Sequence, residues 1–106
     1  MSPKVSVLIA TYNRSRFISR AIKSVLDQTY KDWELIIADD GSTDETEKVV
    51  RGFGQNEPRI KYLKGPHFGR IAKISNFGLK HAKGEYIAIL DDDDHWCDPE
   101  KLNKQV

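Results

Sequence analysis

Two clusters of aspartates are the residues of this sequence best suited to chemistry. Eight of the ten aspartates lie within residues 39–44 and 91–98 of the 106-residue chain, whose net charge is only +1. Carboxylates that are crowded together repel one another and raise each other's pKa unless a cation balances them. Because Mg²⁺ and Mn²⁺ prefer carboxylate oxygens, the clusters indicate a cation site. Helix caps would produce the same pattern and are the alternative.

The second cluster contains four successive aspartates at residues 91–94, directly after the apolar stretch 86–90. Such a stretch is typical of a buried strand. Alternate residues of an extended chain share a side, so Asp91 and Asp93 are expected to hold one divalent ion while Asp92 faces away. The position after a buried strand favours a metal site over a solvated acidic turn.

The first cluster has a structural explanation for only part of its sequence. Gly41 suits a turn, Ser42 suits a helix N-cap, and Asp44 is favourable in the first turn of a helix. Asp39 and Asp40 are left unexplained, since carboxylates are poor strand formers. A carboxylate at a strand end can accept a hydrogen bond from a nucleobase N–H or a ribose hydroxyl.

Short apolar or alternating segments predict four strands that would position these residues. Residues 5–10 form a nearly continuous apolar run, as expected of a strand covered on both faces, and residues 33–38 predict a second buried strand. Residues 85–90 predict a fourth, buried strand. Residues 59–64 alternate between polar and apolar and predict a half-exposed strand at a sheet edge.

Helical spacing of apolar residues separates the predicted strands. Residues 15–27 carry one apolar stripe, and a capping box at residues 42–45 predicts the start of a second helix. Residues 71–82 predict a third helix, with Gly84 as its C-terminal cap. Asp98, followed by a proline, predicts the N-cap of a fourth.

Strands that alternate with helices predict an α/β fold, a Rossmann-like doubly wound and mostly parallel sheet with strand order 3-2-1-4. Ligands of such sheets bind beyond the carboxyl ends of the strands. The loops after the first, second and fourth strands are therefore expected to bring Tyr12, Asp40 and Asp93 to one crevice. Tyr12 can stack on a base there, or it can simply be packed.

The composition is that of one folded domain and indicates neither a nucleic acid partner nor a membrane span. Hydrophobic residues make up 39% and charged residues 31% of the chain, which indicates one folded domain over residues 1–106. The net charge of +1 gives no reason to expect a nucleic acid partner. The longest apolar stretch is far shorter than the ~20 residues of a membrane span, and no signal peptide is evident. We therefore expect no transmembrane segment and a cytoplasmic location.

Cysteine and histidine usage points to no further site. The single Cys97 excludes an intrachain disulfide and fits a reducing compartment. The spacing of His67, His81 and Cys97 matches no zinc-ligand pattern. We expect these three to be surface residues.

Three ordered motifs closely resemble the nucleotide-sugar-binding half of family 2 glycosyltransferases with the GT-A fold. They are VSVLIATYNR at residues 5–14, DDGSTD at residues 39–44 and GEYIAILDDDD at residues 84–94. The resemblance covers essentially the whole chain and implies a donor-binding part that lacks the acceptor half.

The resemblance assigns roles to individual residues. It implies that Ala10 and Tyr12 hold the nucleobase and that Asp40 contacts the uracil with support from Asp39. It implies that Arg70 approaches the donor's diphosphate.

The D-x-D element of the family corresponds here to residues 91–93. The resemblance implies that Asp93 is the direct ligand of Mn²⁺ or Mg²⁺, together with Asp91, and that Asp92 lies near the ribose.

The implied activity is metal-dependent transfer of a sugar from a nucleotide diphosphate sugar, with UDP as the expected nucleotide, to an acceptor hydroxyl with inversion. The general base is expected beyond Val106, so this chain alone is expected to be inactive. The uncovered flank of the fourth strand is expected to promote self-association. The full-length enzyme can be peripheral at a membrane.

Two other functions are compatible with aspartates at parallel strand ends. One is a Mg²⁺-dependent phosphohydrolase or Toprim-like phosphoryl-transfer domain. The common phosphohydrolase type would have Asp-x-Asp after the first strand, where this chain has Thr11, Tyr12 and Asn13. The other is a non-catalytic nucleotide-binding module.

Overall fold

The computed structural model describes residues 3–105 and alternates strands with helices, as predicted. The strands are β1 (Val5–Thr11), β2 (Trp33–Asp39), β3 (Ile60–Lys64) and β4 (Tyr86–Ile89). The helices are α1 (Ser15–Leu26), α2 (Thr46–Gly54), α3 (Ile71–Leu79) and α4 (Lys101–Gln105). Within this described range, no helix combines the length and the apolar content needed to cross a membrane.

The four strands form one parallel sheet in the order β3-β2-β1-β4, which confirms the predicted fold. β1 pairs along its whole length with β2, from Val5 opposite Trp33 to Thr11 opposite Asp39. The apolar runs of β1 and β2 are buried because these strands lie in the centre of the sheet with helices on both faces.

Apolar side chains pack in two layers on opposite faces of the sheet. Alternate residues of β1 and β2, such as Val7 and Leu35, join side chains of α1, α2 and α4 on one face. The opposite alternation, such as Leu8 and Ile36, packs against Ile74 of α3 on the other face. Because strand side chains alternate between the two faces, both faces of the sheet are apolar. Of the four helices described, α3 packs on one face and the other three pack on the opposite face.

The helix starts and caps differ in two places from the prediction. α2 begins at Thr46. The side chain that accepts a hydrogen bond from its first N–H groups is Asp44 and not Ser42, since the Asp44 carboxylate accepts the Thr46 N–H at 2.9 Å. Desolvation disfavours the charged form of Asp44, but hydrogen bonds from Thr46 and Ser15 outweigh it and lower its pKa to about 2. The predicted capping box was therefore wrong, because the Ser42 hydroxyl is used elsewhere.

Gly84 is not the C-terminal cap of α3, which ends at Leu79. It lies instead against β1, where its N–H donates to Ser6 Oγ at 2.8 Å. A Cβ at position 84 would come within 2.6 Å of the Ser6 backbone nitrogen. The glycine is needed for this close approach and not for a left-handed turn.

β4 is more exposed than its apolar sequence predicts. Tyr86, Ile87 and Ile89 are 49%, 46% and 64% exposed. β4 is the edge strand of the described sheet, and α3 packs on β1 and β2. The expectation of a buried fourth strand was therefore wrong. Ile87 and Ile89 are exposed on the face that carries α3, and Tyr86 is exposed on the opposite face.

A buried carboxylate connects β1, β2 and β3 near the amino ends of β1 and β2. Glu34 of β2 is 2% exposed. It accepts hydrogen bonds from Ser6 Oγ at 2.6 Å, Lys61 Nζ at 2.8 Å and the Lys83 backbone N–H at 2.7 Å. Burial by itself would raise the pKa of Glu34, but these three donors together hold its pKa below its usual value.

Replacing Glu34 with glutamine should destabilise the fold by roughly 1–3 kcal/mol at neutral pH, because its donors lose a charged acceptor. The pKa of Glu34 is lower in the folded chain than its usual value of 4.5, which we take for the unfolded chain. Its contribution is therefore complete above pH 4.5 and is lost as the pH falls through the folded-state pKa. Urea unfolding across pH should show the difference between wild type and Glu34→Gln shrinking in acid.

The matched control is Glu85→Gln, which removes the exposed partner of Lys4 at 3.1 Å. This variant should leave the stability nearly unchanged at every pH. A wild-type advantage over Glu34→Gln that persists undiminished down to about pH 3 would contradict the linkage.

Candidate functional site

A cavity of about 280 Å³ opens at the carboxyl ends of the strands. Residues from the ends of β1 and β2, from the loop that follows β3, from α3 and from the turn that follows β4 form its wall. These residues are Ala10, Thr11, Tyr12, Arg14, Asp40, His67, Gly69, Arg70, Ile71, Ile74 and Asp92. The expected crevice therefore exists, and loops after all four strands contribute to it.

The loop that follows β1 is tied to the loop that follows β2. Asn13 has a positive φ of 52°, a conformation that asparagine tolerates better than most residues. Its backbone N–H donates to Ser42 Oγ at 2.8 Å, and its side-chain oxygen accepts the Thr43 N–H at 2.8 Å. These bonds fix the backbone that carries Tyr12 into the cavity.

Asp39 lies beneath the cavity and does not line it. Its side chain is fully buried, and one carboxylate oxygen accepts both the N–H and the hydroxyl of Ser42, at 2.8 and 2.6 Å. The other oxygen accepts the hydroxyl of Tyr62, whose pKa is raised by burial and by the negative charge of Asp39. Asp39 therefore holds the loop that carries its neighbour and has no oxygen directed at a ligand.

Asp40 lines the cavity and at the same time anchors the loop that precedes α3. Asp40 is 5% exposed. Its carboxylate accepts the backbone N–H of Phe68 at 2.7 Å and that of Gly69 at 3.1 Å. Gly69 has φ +76°, which lets two successive N–H groups converge on one anion. His67 Nδ1 lies 3.1 Å from the same carboxylate.

His67 lines the cavity, although the sequence led us to expect only a surface residue. Its ring stacks on that of Tyr12, with centroids 4.6 Å apart and planes inclined by 30°. Its position in the sequence could have indicated this place, because residues 65–70 follow β3 and ligands bind where parallel strands end. The predicted crevice included only the loops after the other three strands.

Arg70 lies where expected, at the mouth of the cavity. It is the residue before α3, its side chain is exposed, and it contributes to the cavity wall beside Gly69. Ala10 also lines the cavity at the end of β1.

Residues 91–94 form a turn and not an extended segment. The Asp94 N–H donates to the Asp91 carbonyl at 3.1 Å, which places Asp92 and Asp93 at the tip. The expectation that Asp91 and Asp93 share a side was therefore wrong, because strand alternation ends before the turn. Asp92, expected to face away, lines the cavity, whereas Asp91 lines a second depression and Asp93 is exposed outside both.

The pKa of Asp92 results from effects that oppose one another. Burial raises the pKa of its carboxyl, and the adjacent charge of Asp93 adds to the rise. Arg14, whose Nε lies 3.8 Å from Oδ2, and the Tyr12 N–H partly offset it. The buried Thr11 hydroxyl lies close enough to favour the charged form, but it does not meet the carboxylate in hydrogen-bond geometry.

The described residues contain no group of three or more His, Cys, Asp or Glu side chains arranged to hold a metal ion. A cation that is shared with substrate phosphates needs fewer protein ligands, because Mg²⁺ in such sites uses one or two carboxylates. Asp92 and Asp93, adjacent at the tip of the turn, and the unpaired Thr11 hydroxyl beside them fit that arrangement.

Comparison with known proteins matches this geometry to one family. Residues 6–106 match the sequence model of glycosyl transferase family 2. The UDP-Glc:alpha-D-GlcNAc-diphosphoundecaprenol beta-1,3-glucosyltransferase WfgD of Escherichia coli is 42% identical over 102 residues, which are 96% of this chain and 39% of that protein. Such curated relatives are therefore more than twice as long as this chain.

Two solved structures share the fold and hold nucleotide sugars. S. aureus TarS 1–349 in complex with UDP-GlcNAc superposes with a TM-score of 0.89 at 30% identity, covering 96% of this chain and 30% of that one. The mannosyltransferase PcManGT of Pyrobaculum calidifontis, in complex with GDP-Man and Mn²⁺, has a TM-score of 0.88 at 28% identity and covers 96% and 31%. With its matched residues spanning almost its full length, the chain belongs to glycosyl transferase family 2.

Proposed function

We propose that this chain is the donor-binding part of a glycosyltransferase that takes a sugar from a UDP-sugar. The observation that carries the proposal is the cavity at the carboxyl ends of the strands, which combines an aromatic wall, a buried carboxylate and an arginine. A nucleotide diphosphate sugar presents the complementary groups, a flat base, hydrogen-bond donors and two phosphates. The complexes of TarS with UDP-GlcNAc and of PcManGT with GDP-Man support this class of ligand.

The nucleoside end of the donor is proposed to lie against Ala10, Tyr12 and Asp40. Tyr12 is 41% exposed, so one face of its ring is open to a base. A carboxylate has about four lone-pair positions, and two loop N–H groups occupy two of those on Asp40. A position is therefore left for an N–H of the nucleobase, while Asp39 supports the loop from below.

The diphosphate end is proposed to lie between Arg70 and the turn at residues 91–94. Arg70 can pair with phosphate oxygens, whereas Asp92 and Asp93 would repel them. A divalent cation, Mn²⁺ or Mg²⁺, would remove this repulsion and neutralise charge on the departing diphosphate. The Mn²⁺ in the PcManGT complex supports such an ion. We propose Asp93 as its direct ligand, with Asp92 beside it.

The proposed reaction is a displacement at the anomeric carbon with inversion. The bond from this carbon to the diphosphate oxygen breaks as the acceptor oxygen attacks from the opposite side, and a carboxylate base takes the proton of the acceptor hydroxyl. We assign the acceptor site and the base to the additional length of the relatives, of which this chain covers about a third. A phosphohydrolase is disfavoured, because Thr11, Tyr12 and Asn13 stand at the end of β1, where its Asp-x-Asp would be.

The exposed flank of β4 is proposed to promote self-association. Ile87 and Ile89 lie on the face beside α3 and are about half exposed or more. The outer edge of a four-residue strand also presents backbone groups that can pair with another strand.

UDP affinity should depend on a divalent ion and on Asp93. Titration calorimetry should show binding of UDP in Mn²⁺ that weakens about tenfold or more in chelator, because the diphosphate then faces unscreened carboxylates. Asp93→Asn should abolish most of the gain from Mn²⁺. Asp91→Asn is the matched control and should keep it, because Asp91 lines the other depression. Equal UDP affinity with and without chelator would refute the ion.

Asp40 should act at the nucleoside end of the ligand. Asp40→Asn should weaken UDP binding by roughly 1–3 kcal/mol, because an amide nitrogen would face loop N–H donors and one acceptor would be lost. Uridine without phosphates should lose the same factor in this variant, and no factor in Asp93→Asn. Competition titrations with both ligands test this, and a loss confined to UDP would contradict the assignment.

Self-association should depend on the β4 flank. Light scattering at high protein concentration should show a mass above that of the 12.1 kDa monomer. Ile89→Lys should restore the monomer, since it places a charge on the exposed face. Phe17→Lys, at a 42% exposed position on α1, is the control and should not. A wild type that is monomeric throughout would overturn the proposal.

A further inference from the structure

The imidazole of His67 is held in the cavity wall by two elements. Its Nδ1 lies 3.0 Å from the backbone oxygen of Asp40 and 3.1 Å from a carboxylate oxygen of the same residue. Its ring stacks on Tyr12 at 4.6 Å. These contacts fix both the position and the orientation of the ring.

The partners of Nδ1 determine which ring nitrogen carries the proton. Carbonyl and carboxylate oxygens only accept hydrogen bonds, so Nδ1 must be the donor to Asp40. A neutral imidazole has a single N–H, and Nε2 is therefore left with a free lone pair. The arrangement makes Nε2 of His67 a hydrogen-bond acceptor.

The acceptor is accessible to a ligand. The side chain of His67 is 55% exposed and lines the cavity, and Nε2 lies on the ring edge opposite the one that Asp40 holds. Position 69 is glycine, and a Cβ there would stand only 3.9 Å from Nε2. The missing side chain leaves the approach to Nε2 open.

We propose that His67 is a specificity-determining residue of the nucleotide site, whose Nε2 accepts a hydrogen bond from a donor of the nucleoside. The inference rests on the proposed function. The donor is one of the two ribose hydroxyls, because the single ring N–H of the uracil is assigned to Asp40. Among the other groups of the cavity wall, Asp40 and Asp92 are charged acceptors, whereas Arg14 and Arg70 only donate. Nε2 adds a neutral acceptor, which recognises a donor without adding repulsion to the diphosphate.

Two variants remove the acceptor at the position of Nε2, while each keeps one of the other contacts. His67→Asn retains an N–H that can donate to Asp40, and His67→Phe retains a ring that can stack on Tyr12. Binding of UDP, 2′-deoxy-UDP and 3′-deoxy-UDP is measured with Mn²⁺ for both variants and for wild type. The two analogues each lack one of the two possible donors.

Wild type should bind one analogue about three- to tenfold more weakly than UDP, as for the loss of one hydrogen bond. In both variants that ratio should fall to about one, because the acceptor is absent whichever contact is kept. His81→Asn is the matched control, since His81 is exposed and bonds only to the Phe77 carbonyl on α3. It should keep the wild-type ratio.

Ratios that are the same in wild type and in both variants would overturn the role of His67, while UDP binding by wild type would leave the proposed function standing. A wild type that binds no UDP would overturn both. The ¹⁵N shifts of the His67 ring provide a test without ligand or variant, at a pH where histidine side chains are neutral. They should report a protonated Nδ1 and a bare Nε2, and the opposite tautomer would overturn the inference alone.

Discussion

Three almost fully buried carboxylates on or next to β2 hold the neighbouring strands and loops in place through their hydrogen bonds. Glu34, Asp39 and Asp40 are 2%, 0% and 5% exposed, at the two ends of β2. A buried carboxylate is costly unless hydrogen-bond donors surround it. Here the donors come from β1, β3 and the loops around β2, β3 and β4. Satisfying the charges of β2 therefore fixes the surrounding connections.

The adjacent residues Asp39 and Asp40 have different roles, because β2 ends at Asp39 and Asp40 begins the loop that follows it. Asp39 faces Tyr62 and Ser42 and stabilises the loop. Asp40 faces the loop before α3, so the carboxylate proposed to contact the ligand is also the one that holds His67 in the wall. The nucleoside end of the cavity is consequently built at the end of a central strand, whereas Asp91, Asp93 and Asp94 in the turn that follows β4 are exposed.

The fold could be predicted from the sequence because its signals are local. Continuous apolar runs specified β1 and β2, helical stripes specified the helices between them, and the right-handed crossover rule limited the strand order. Where prediction failed, a long-range contact competed with the local signal. Ser42 suits an N-cap, but Asp39 and Asn13 engage its hydroxyl, and Gly84 suits a helix end, but it packs on Ser6.

Local patterns in the sequence were enough to predict the parallel sheet, the crevice at its carboxyl edge, and the presence of Tyr12 and Asp40 there, because the strand ends of a parallel sheet meet at one edge. The place of Arg70 was implied by the resemblance to the family. Which aspartates face the cavity became evident only in the folded chain, since a turn at residues 91–94 exchanges the expected places of Asp91 and Asp92. The same is true of the place of His67. A side chain's direction within a loop depends on donors and rings from distant segments, and no local pattern encodes these.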